Sequence, residues 1–213
     1  MTFDKNALLL YAVTDRAWLG GRTLAEQVRA CLHGGVTCLQ LREKDLNDDA
    51  FLQEALEIKA ICASTGVPFI INDNVAVAVR CAADGLHVGQ GDLRACDARQ
   101  ALGGDKILGV SVQTVEQAVC AERDGADYLG VGAIFPTDTK KDADAVSIES
   151  LQNICRAVSI PVVAIGGINR HNIGRLKGTG IAGVAVVSAL FAESDIEGTA
   201  KTLRALSAEM VYA

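Results

Sequence analysis

Several short stretches of this chain place anion- or cation-holding groups directly after an aliphatic run. Gln40-Leu41-Arg42-Glu43-Lys44 offers an amide and two cations at alternate positions. Extended backbone sends alternate side chains the same way, so Gln40, Arg42 and Lys44 can converge on one polyanion. The plainer reading is a charged surface loop whose cations pair with Glu43 and Asp45. Asn72-Asp73 and Gly89-Gln90-Gly91-Asp92 each bring a carboxylate. Magnesium takes oxygen ligands, commonly one or two carboxylates completed by water and substrate phosphates, which makes Asp73 and Asp92 a candidate pair. The competing reading of Asp92 is a helix cap. Further on, Gly132-Ala133-Ile134-Phe135-Pro136-Thr137-Asp138-Thr139-Lys140-Lys141 carries hydroxyls and lysines on a loop that could close over a bound anion. Gly166-Gly167-Ile168 lets a phosphate approach backbone, and Val187-Ser188-Ala189 adds a hydroxyl beside a helix start.

These groups need a scaffold that gathers them. Aliphatic runs recur at Leu8–Val13, Thr37–Leu41, Phe69–Ile71, Leu86–Val88, Ile107–Val110, Tyr128–Val131, Val162–Ile165 and Gly183–Val187. They are nearly continuous in apolar character, as in parallel strands covered on both faces. Between them lie helical patterns: Phe51, Ala55, Ile58 and Cys62 share one face, as do Ile148, Leu151, Ile154, Cys155 and Val158, and Ile196, Ala200, Leu203 and Met210. Gly34-Gly35 ends the first helix, Asn169 caps the seventh, and Pro68 and Pro161 introduce strands. Eight strands alternating with eight helices predict an α/β fold, a single-domain (β/α)8 TIM barrel spanning residues 1–213. An open doubly wound sheet usually carries a Gly-x-Gly-x-x-Gly turn after its first strand, and Thr14-Asp15-Arg16 does not fit one. In a barrel the residues after each strand form the active face, which is where the polar groups fall.

Composition removes other classes. A formal net charge of −6 with no basic stripe argues against a nucleic-acid partner. No apolar run reaches the length of a membrane span, and the amino terminus lacks the pattern of a secretion signal, so a cytoplasmic chain is expected. The seven cysteines are scattered without a Cys-x-x-Cys pair and read as reduced, buried small hydrophobes. His33, His87 and His171 are dispersed, so no histidine-centred metal site is expected. An apolar helix face leaves room for a homodimer.

Several of these stretches, in this order, resemble the thiamine phosphate synthase (thiamine-phosphate pyrophosphorylase) family. The resemblance runs from Tyr11-Ala12-Val13-Thr14-Asp15 to Val186-Val187-Ser188-Ala189-Leu190, and is most specific in Gln40–Lys44, Ile71-Asn72-Asp73, Gly132–Lys140 and Ile165–Ile168. It implies a transferase of thiamine biosynthesis that joins a hydroxymethylpyrimidine diphosphate to a thiazole phosphate, releasing pyrophosphate. It further implies that Gln40, Arg42, Lys44, Asn72 and Lys140 hold the diphosphate and that Asp73 and Asp92 bind one magnesium ion. Ser111 would then lie near the pyrimidine, and Thr137, Thr139, Gly167, Val187 and Ser188 would hold the thiazole phosphate. Arg42, Lys44, Ser111 and Lys140 are the expected catalytic groups.

Two positions depart from the family pattern: Gly91 replaces a common acidic residue, and Gln113 stands where many relatives carry histidine. The second bears on a rival, a thiazole tautomerase on the same barrel, which typically uses that histidine and tends to lack the Asn-Asp and Pro-Thr-x-Thr-Lys elements. A rival of another class, a non-catalytic phosphate-ligand sensor, needs the phosphate cradle but neither the carboxylates nor the Arg42–Lys44 clamp. Retention of all these groups favours the synthase reading.

Overall fold

Each aliphatic run becomes one strand of a closed parallel barrel in the computed structural model, which describes residues 4–137 and 145–213. The strands are β1 (Leu10–Val13), β2 (Cys38–Leu41), β3 (Phe69–Asn72), β4 (Gly85–Val88), β5 (Ile107–Val112), β6 (Tyr128–Val131), β7 (Val162–Ile165) and β8 (Gly183–Val186). They pair in chain order, and β8 returns to β1 with Leu10 opposite Val184 and Ala12 opposite Val186. Helices α1 (Leu24–His33), α2 (Asp48–Ala63), α3 (Val75–Arg80), α4 (Ala95–Leu102), α5 (Val115–Arg123) and α6 (Ile148–Ala157) follow β1 to β6 in turn. Both α7 (Ser188–Phe191) and α8 (Ile196–Tyr212) come after β8.

Local chemistry sets where the helices begin. Thr23 and Glu26 form a reciprocal capping box on α1, and Thr114 and Gln117 do the same on α5. Asn47, Asn74, Ser147 and Asp195 each accept a backbone N–H at the start of α2, α3, α6 and α8. Such caps contribute about 1 kcal/mol each and fix the loop length between strand end and helix.

Two apolar layers hold the fold. The larger lies between barrel and helices and includes Leu39, Leu86, Leu129, Ile58 and Leu203. The smaller fills the barrel itself, with Tyr11, Val13, Cys38, Ile70, Tyr128, Val163 and Ala185 packed together. Two tyrosines and a histidine fit there because their neighbours are glycines. Register sets Gly109 beside both His87 and Tyr128. A Cβ on Gly109 would overlap the Tyr128 ring and His87, and one on Gly130 would lie 3.1 Å from His87.

Some expectations need correction. β1 begins at Leu10, because Asp4 accepts the Asn6 N–H and winds Lys5–Leu8 into a 3-10 turn that buries Leu8 under the barrel. Thr37 precedes β2, its hydroxyl taking the Leu10 N–H and donating back to main-chain carbonyls. Helices do not follow every strand: after β7 the chain makes only a 3-10 turn, Ile173–Leu176. Asn169 therefore caps no α-helix. Its carboxamide oxygen takes the His171 N–H, and Asn172 ties Asn169 N–H to the Gly167 carbonyl. Val158 lies one residue beyond α6 in extended conformation. Cys31, Cys38, Cys62 and Cys81 are buried as expected, whereas Cys96 and Cys155 are half-buried and Cys120 is exposed. Among the described residues no helix is long and apolar enough to cross a membrane.

The closest backbone approach at the barrel's base is at Gly183, where an added Cβ would overlap the Leu8 carbonyl. Backbone cannot yield as a flexible side chain does, so Gly183→Ala should destabilise the chain by about 1–3 kcal/mol. A urea unfolding curve coincident with that of the parent would refute this account of the packing.

Candidate active site

Two cavities open at the C-terminal ends of the strands. One of about 260 Å³ is lined by Gln90, Ser111, Thr137, Gly167, Val187 and Ser188 among others. Another of about 130 Å³ lies against Tyr11, Gln40, Arg42, Asn72, His87 and Ser111. Ser111, Gly130, Ile165, Ala185 and Val187 line both, so the two meet at the barrel axis. A wider hollow of about 1230 Å³ sits at the opposite end, where Leu9, Pro68, Asp84 and Ile107 start or precede strands. Its position matters more than its size, because barrel chemistry gathers where strands end.

The carboxylates expected to hold metal come together at the ends of β3 and β4. Lys44 Nζ reaches Asp73 Oδ2 at 2.6 Å, and Asn72 Nδ2 donates to Asp73 Oδ1 at 2.9 Å. Asp73 has a φ of 60°, in the left-handed region that aspartate tolerates better than most residues. Its N–H donates to the His87 carbonyl at 2.8 Å, which locks this turn onto β4. Burial raises the Asp73 carboxyl above its usual range, and the adjacent Asp92 raises it further while Lys44 opposes the shift. Asp92 accepts the Gly89 N–H at 2.8 Å within its own loop. It is not a helix cap, since α4 starts at Ala95 and Arg94 holds the cap position without a side-chain bond.

The Gln40–Lys44 stretch divides in two. Arg42 pairs with Asp15 at 2.9 Å and lines the smaller cavity with Gln40 and Asn72, while Lys44 pairs with Asp73. The charged loop paired with Glu43 and Asp45 does not form. Glu43 faces the opposite way, is only 1% exposed, and accepts from Arg16 Nε at 2.7 Å. Arg16 also donates to Glu54 of α2. One oxygen each of Glu43 and Glu54 is buried without a partner, and the Glu54 carboxyl is pushed up to about 7 by burial and by Glu43 beside it. Two carboxyls with one guanidinium retain a shared proton more easily than a second charge.

Opposite, Gly166 and Gly167 have φ values of 96° and 64°. Their lack of side chains also admits the segment after β6: a Cβ on Gly166 would lie 2.6 Å from Ala133, and one on Gly167 2.6 Å from the Phe135 carbonyl. Ile134 and Phe135 N–H groups donate to the Ile165 and Gly166 carbonyls, and Val146 N–H donates to the Ala133 carbonyl at 2.8 Å. Thr137 thereby lines the larger cavity together with Gly167, Val187 and Ser188. Thr139 and Lys140 lie outside the described residues. Gly91 and Gln113, the two departures from the family pattern, also line this cavity.

Sequence reasoning passed over Tyr11, Asp15, Arg16, His87 and Tyr128. His87 carried a signal in strand parity: in Gly85-Leu86-His87-Val88 the histidine shares its face with Gly85, not with Leu86. Among the described residues no group of three or more His, Cys, Asp or Glu could hold a metal.

A family model for thiamine monophosphate synthase matches residues 10–190. A thiamine-phosphate synthase from Ruminiclostridium cellulolyticum is 52% identical over 194 residues, covering 91% of this chain and 92% of the relative. One from Clostridium tetani is 50% identical, covering 91% and 93%. The solved thiamine phosphate pyrophosphorylase of Pyrococcus furiosus superposes with a TM-score of 0.89 at 36% identity, covering 97% of this chain and 98% of that one.

The Glu43–Glu54 pair gives the fold a pH dependence of definite sign. The folded-state value of Glu54, about 7, exceeds its ordinary value of 4.5, so its contribution is fully present below 4.5 and is lost as pH rises through about 7. Glu54→Gln keeps the hydrogen bonds and removes the titration. From roughly pH 5 to 8 the parent should lose denaturant resistance relative to this variant. Parallel stability profiles across that range would rule the shared proton out.

Proposed function

Because the chain belongs to the thiamine monophosphate synthase family, we propose that its two joined cavities hold a pyrimidine diphosphate and a thiazole phosphate side by side. The reaction is a transfer: thiamine phosphate forms and pyrophosphate leaves. The observation that carries the assignment of ends is the clustering of Arg42, Lys44, Asn72, Asp73 and Asp92 at one side of the barrel mouth and of Thr137, Gly167, Val187 and Ser188 at the other.

Asp73 and Asp92 fit a magnesium ion, since burial and the neighbouring Asp92 make the charged form of Asp73 costly and a hard divalent cation relieves that cost. Bound there, magnesium supplies charge neutralisation for the diphosphate. Arg42 and Lys44 already have carboxylate partners in Asp15 and Asp73, so each is pre-aimed and needs little reorganisation to meet the leaving group. As the carbon–oxygen bond breaks, these cations stabilise the developing diphosphate charge, and the pyrimidinylmethyl carbon becomes cation-like. Ser111, on the wall common to both cavities, contacts the pyrimidine at that stage. The thiazole nitrogen attacks from the larger cavity, where Gly167, Val187 and Ser188 anchor its phosphate; holding the two reactants in line does most of the remaining work. Thr139 and Lys140 complete the phosphate contacts in this reading, and closure of their segment keeps water from the carbon. Gln40 belongs to the pyrimidine diphosphate side. The chain works in the cytoplasm on small molecules, with no nucleic acid or membrane involved, and a homodimer is compatible with its surface.

Purified protein incubated with both substrates and magnesium should form thiamine phosphate, followed by chromatography. Folded protein that yields none removes the reading. Asp73→Ala and Asp92→Ala should each lower turnover by roughly 100-fold and raise the magnesium concentration required. Turnover unchanged in both variants would remove the metal assignment while leaving the transferase reading in place.

A further inference from the structure

A line of hydrogen bonds crosses the floor of the smaller cavity, and the mechanism above uses only its two ends. Gln40 Nε2 donates to the Tyr11 hydroxyl at 2.7 Å, and that hydroxyl lies 2.7 Å from the hydroxyl of Tyr128. The Tyr128 hydroxyl is 2.9 Å from His87 Nδ1, and His87 Nε2 is 2.9 Å from Ser111 Oγ. Every member between the ends is buried: Tyr11 is 1% exposed, Tyr128 0% and His87 8%. Both end groups, Gln40 and Ser111, line the cavity.

Such a line has a direction. Each hydroxyl owns one hydrogen, and a neutral imidazole carries one donor and one acceptor nitrogen. With the Gln40 amide donating, the Tyr11 hydrogen goes to Tyr128, because the nearby Cys38 sulfur is a poor acceptor. The Tyr128 hydrogen then goes to His87 Nδ1, which leaves the proton on Nε2 directed at Ser111 Oγ. Ser111 must spend its own hydrogen on something else, and the cavity is what it faces. At the far end, one Gln40 amide hydrogen is engaged by Tyr11, which fixes the carboxamide's orientation and leaves its carbonyl oxygen, beside the second amide hydrogen, to address a ligand. The two ends are thereby coupled: an acceptor at Gln40 goes with a donor at Ser111. Gln40, buried to 5% exposure with its amide engaged in this line, suits the edge of a heterocycle better than the diphosphate to which the family resemblance assigns it.

We propose that Tyr11, Tyr128 and His87 are positioning residues that impose opposite hydrogen-bonding character on Gln40 and Ser111, and so select a nitrogen heterocycle that presents an amino donor at one point and a ring-nitrogen acceptor at another. This rests on the reading that the smaller cavity takes the pyrimidine of the diphosphate substrate. An analogue with an oxo group in place of the amino group offers the reverse pattern, a carbonyl acceptor and a ring N–H donor, and meets matching rather than complementary groups. Buried polar groups left facing their own kind are what make such discrimination steep.

The test cuts the line without emptying the barrel. Tyr128→Phe and Tyr11→Phe each remove one hydroxyl and keep the ring. Steady-state kinetics are measured for the aminopyrimidine diphosphate and for its oxo analogue, with thermal unfolding run on each variant as a check on folding. The parent should favour the amino substrate in kcat/KM by roughly 100-fold or more, as expected where a site is built to hydrogen-bond its substrate. Each variant should narrow that ratio at least about 5-fold and raise KM for the aminopyrimidine diphosphate, with KM for the thiazole phosphate within about 2-fold of the parent. A parent that turns over the substrates while both variants keep the full ratio, or lose activity on the two pyrimidines alike, overturns the inference and leaves the transferase reading standing. A parent that forms no thiamine phosphate brings down the reading and the inference together.

Discussion

The inside of an eight-stranded barrel is narrow, and this chain puts two tyrosines and a histidine there. That crowding is the constraint on which the rest depends. Large rings need empty positions beside them, which Gly109 and Gly130 provide. Their polar atoms, taken out of water, need partners, and an unmet buried group costs about 1–3 kcal/mol. The ring atoms meet that demand through one another and through Gln40 and Ser111. The interior is therefore both a packed core and the floor of the site, and the two roles cannot be changed separately.

The barrel was legible because the physics of a covered parallel strand is repetitive. Continuous aliphatic runs, apolar helix faces and prolines before β3 and β7 all carry local information, and local rules read them. The strand-end polar groups were legible for the same reason: once the strands are placed, their C-terminal ends are placed too. What local rules miss depends on the third dimension. Arg16 meets Glu43 and Glu54 from a different loop and a different helix. His87 looked isolated when counted along the chain, yet it touches two residues 41 and 24 positions away. The helix expected after β7 failed for a related reason, since Asn169 and Asn172 spend their side chains on the turn that shapes Gly167 rather than on starting a helix.

The two anion-binding ends solve their electrostatic problems differently. Where the diphosphate is assigned, full charges of both signs crowd together, and Arg42 and Lys44 each rest on a carboxylate. Where the thiazole phosphate is assigned, the described residues offer glycine backbone and hydroxyl groups, whose dipoles need no counter-ion. On the proposed assignment the highly charged leaving group meets the stronger field. The substrate that must be delivered to a reactive carbon meets the gentler one.

The hydrogen bond from Val146 N–H to the Ala133 carbonyl pinches the chain shut at the foot of the segment between them. Ile134 and Phe135 then fasten that foot to β7. Because the closure is made at the base, the length of the segment above it is nearly decoupled from the stability of the barrel: doubling such a loop adds only about 0.6 kcal/mol of closure entropy. Added length between Ala133 and Val146 therefore costs the barrel little.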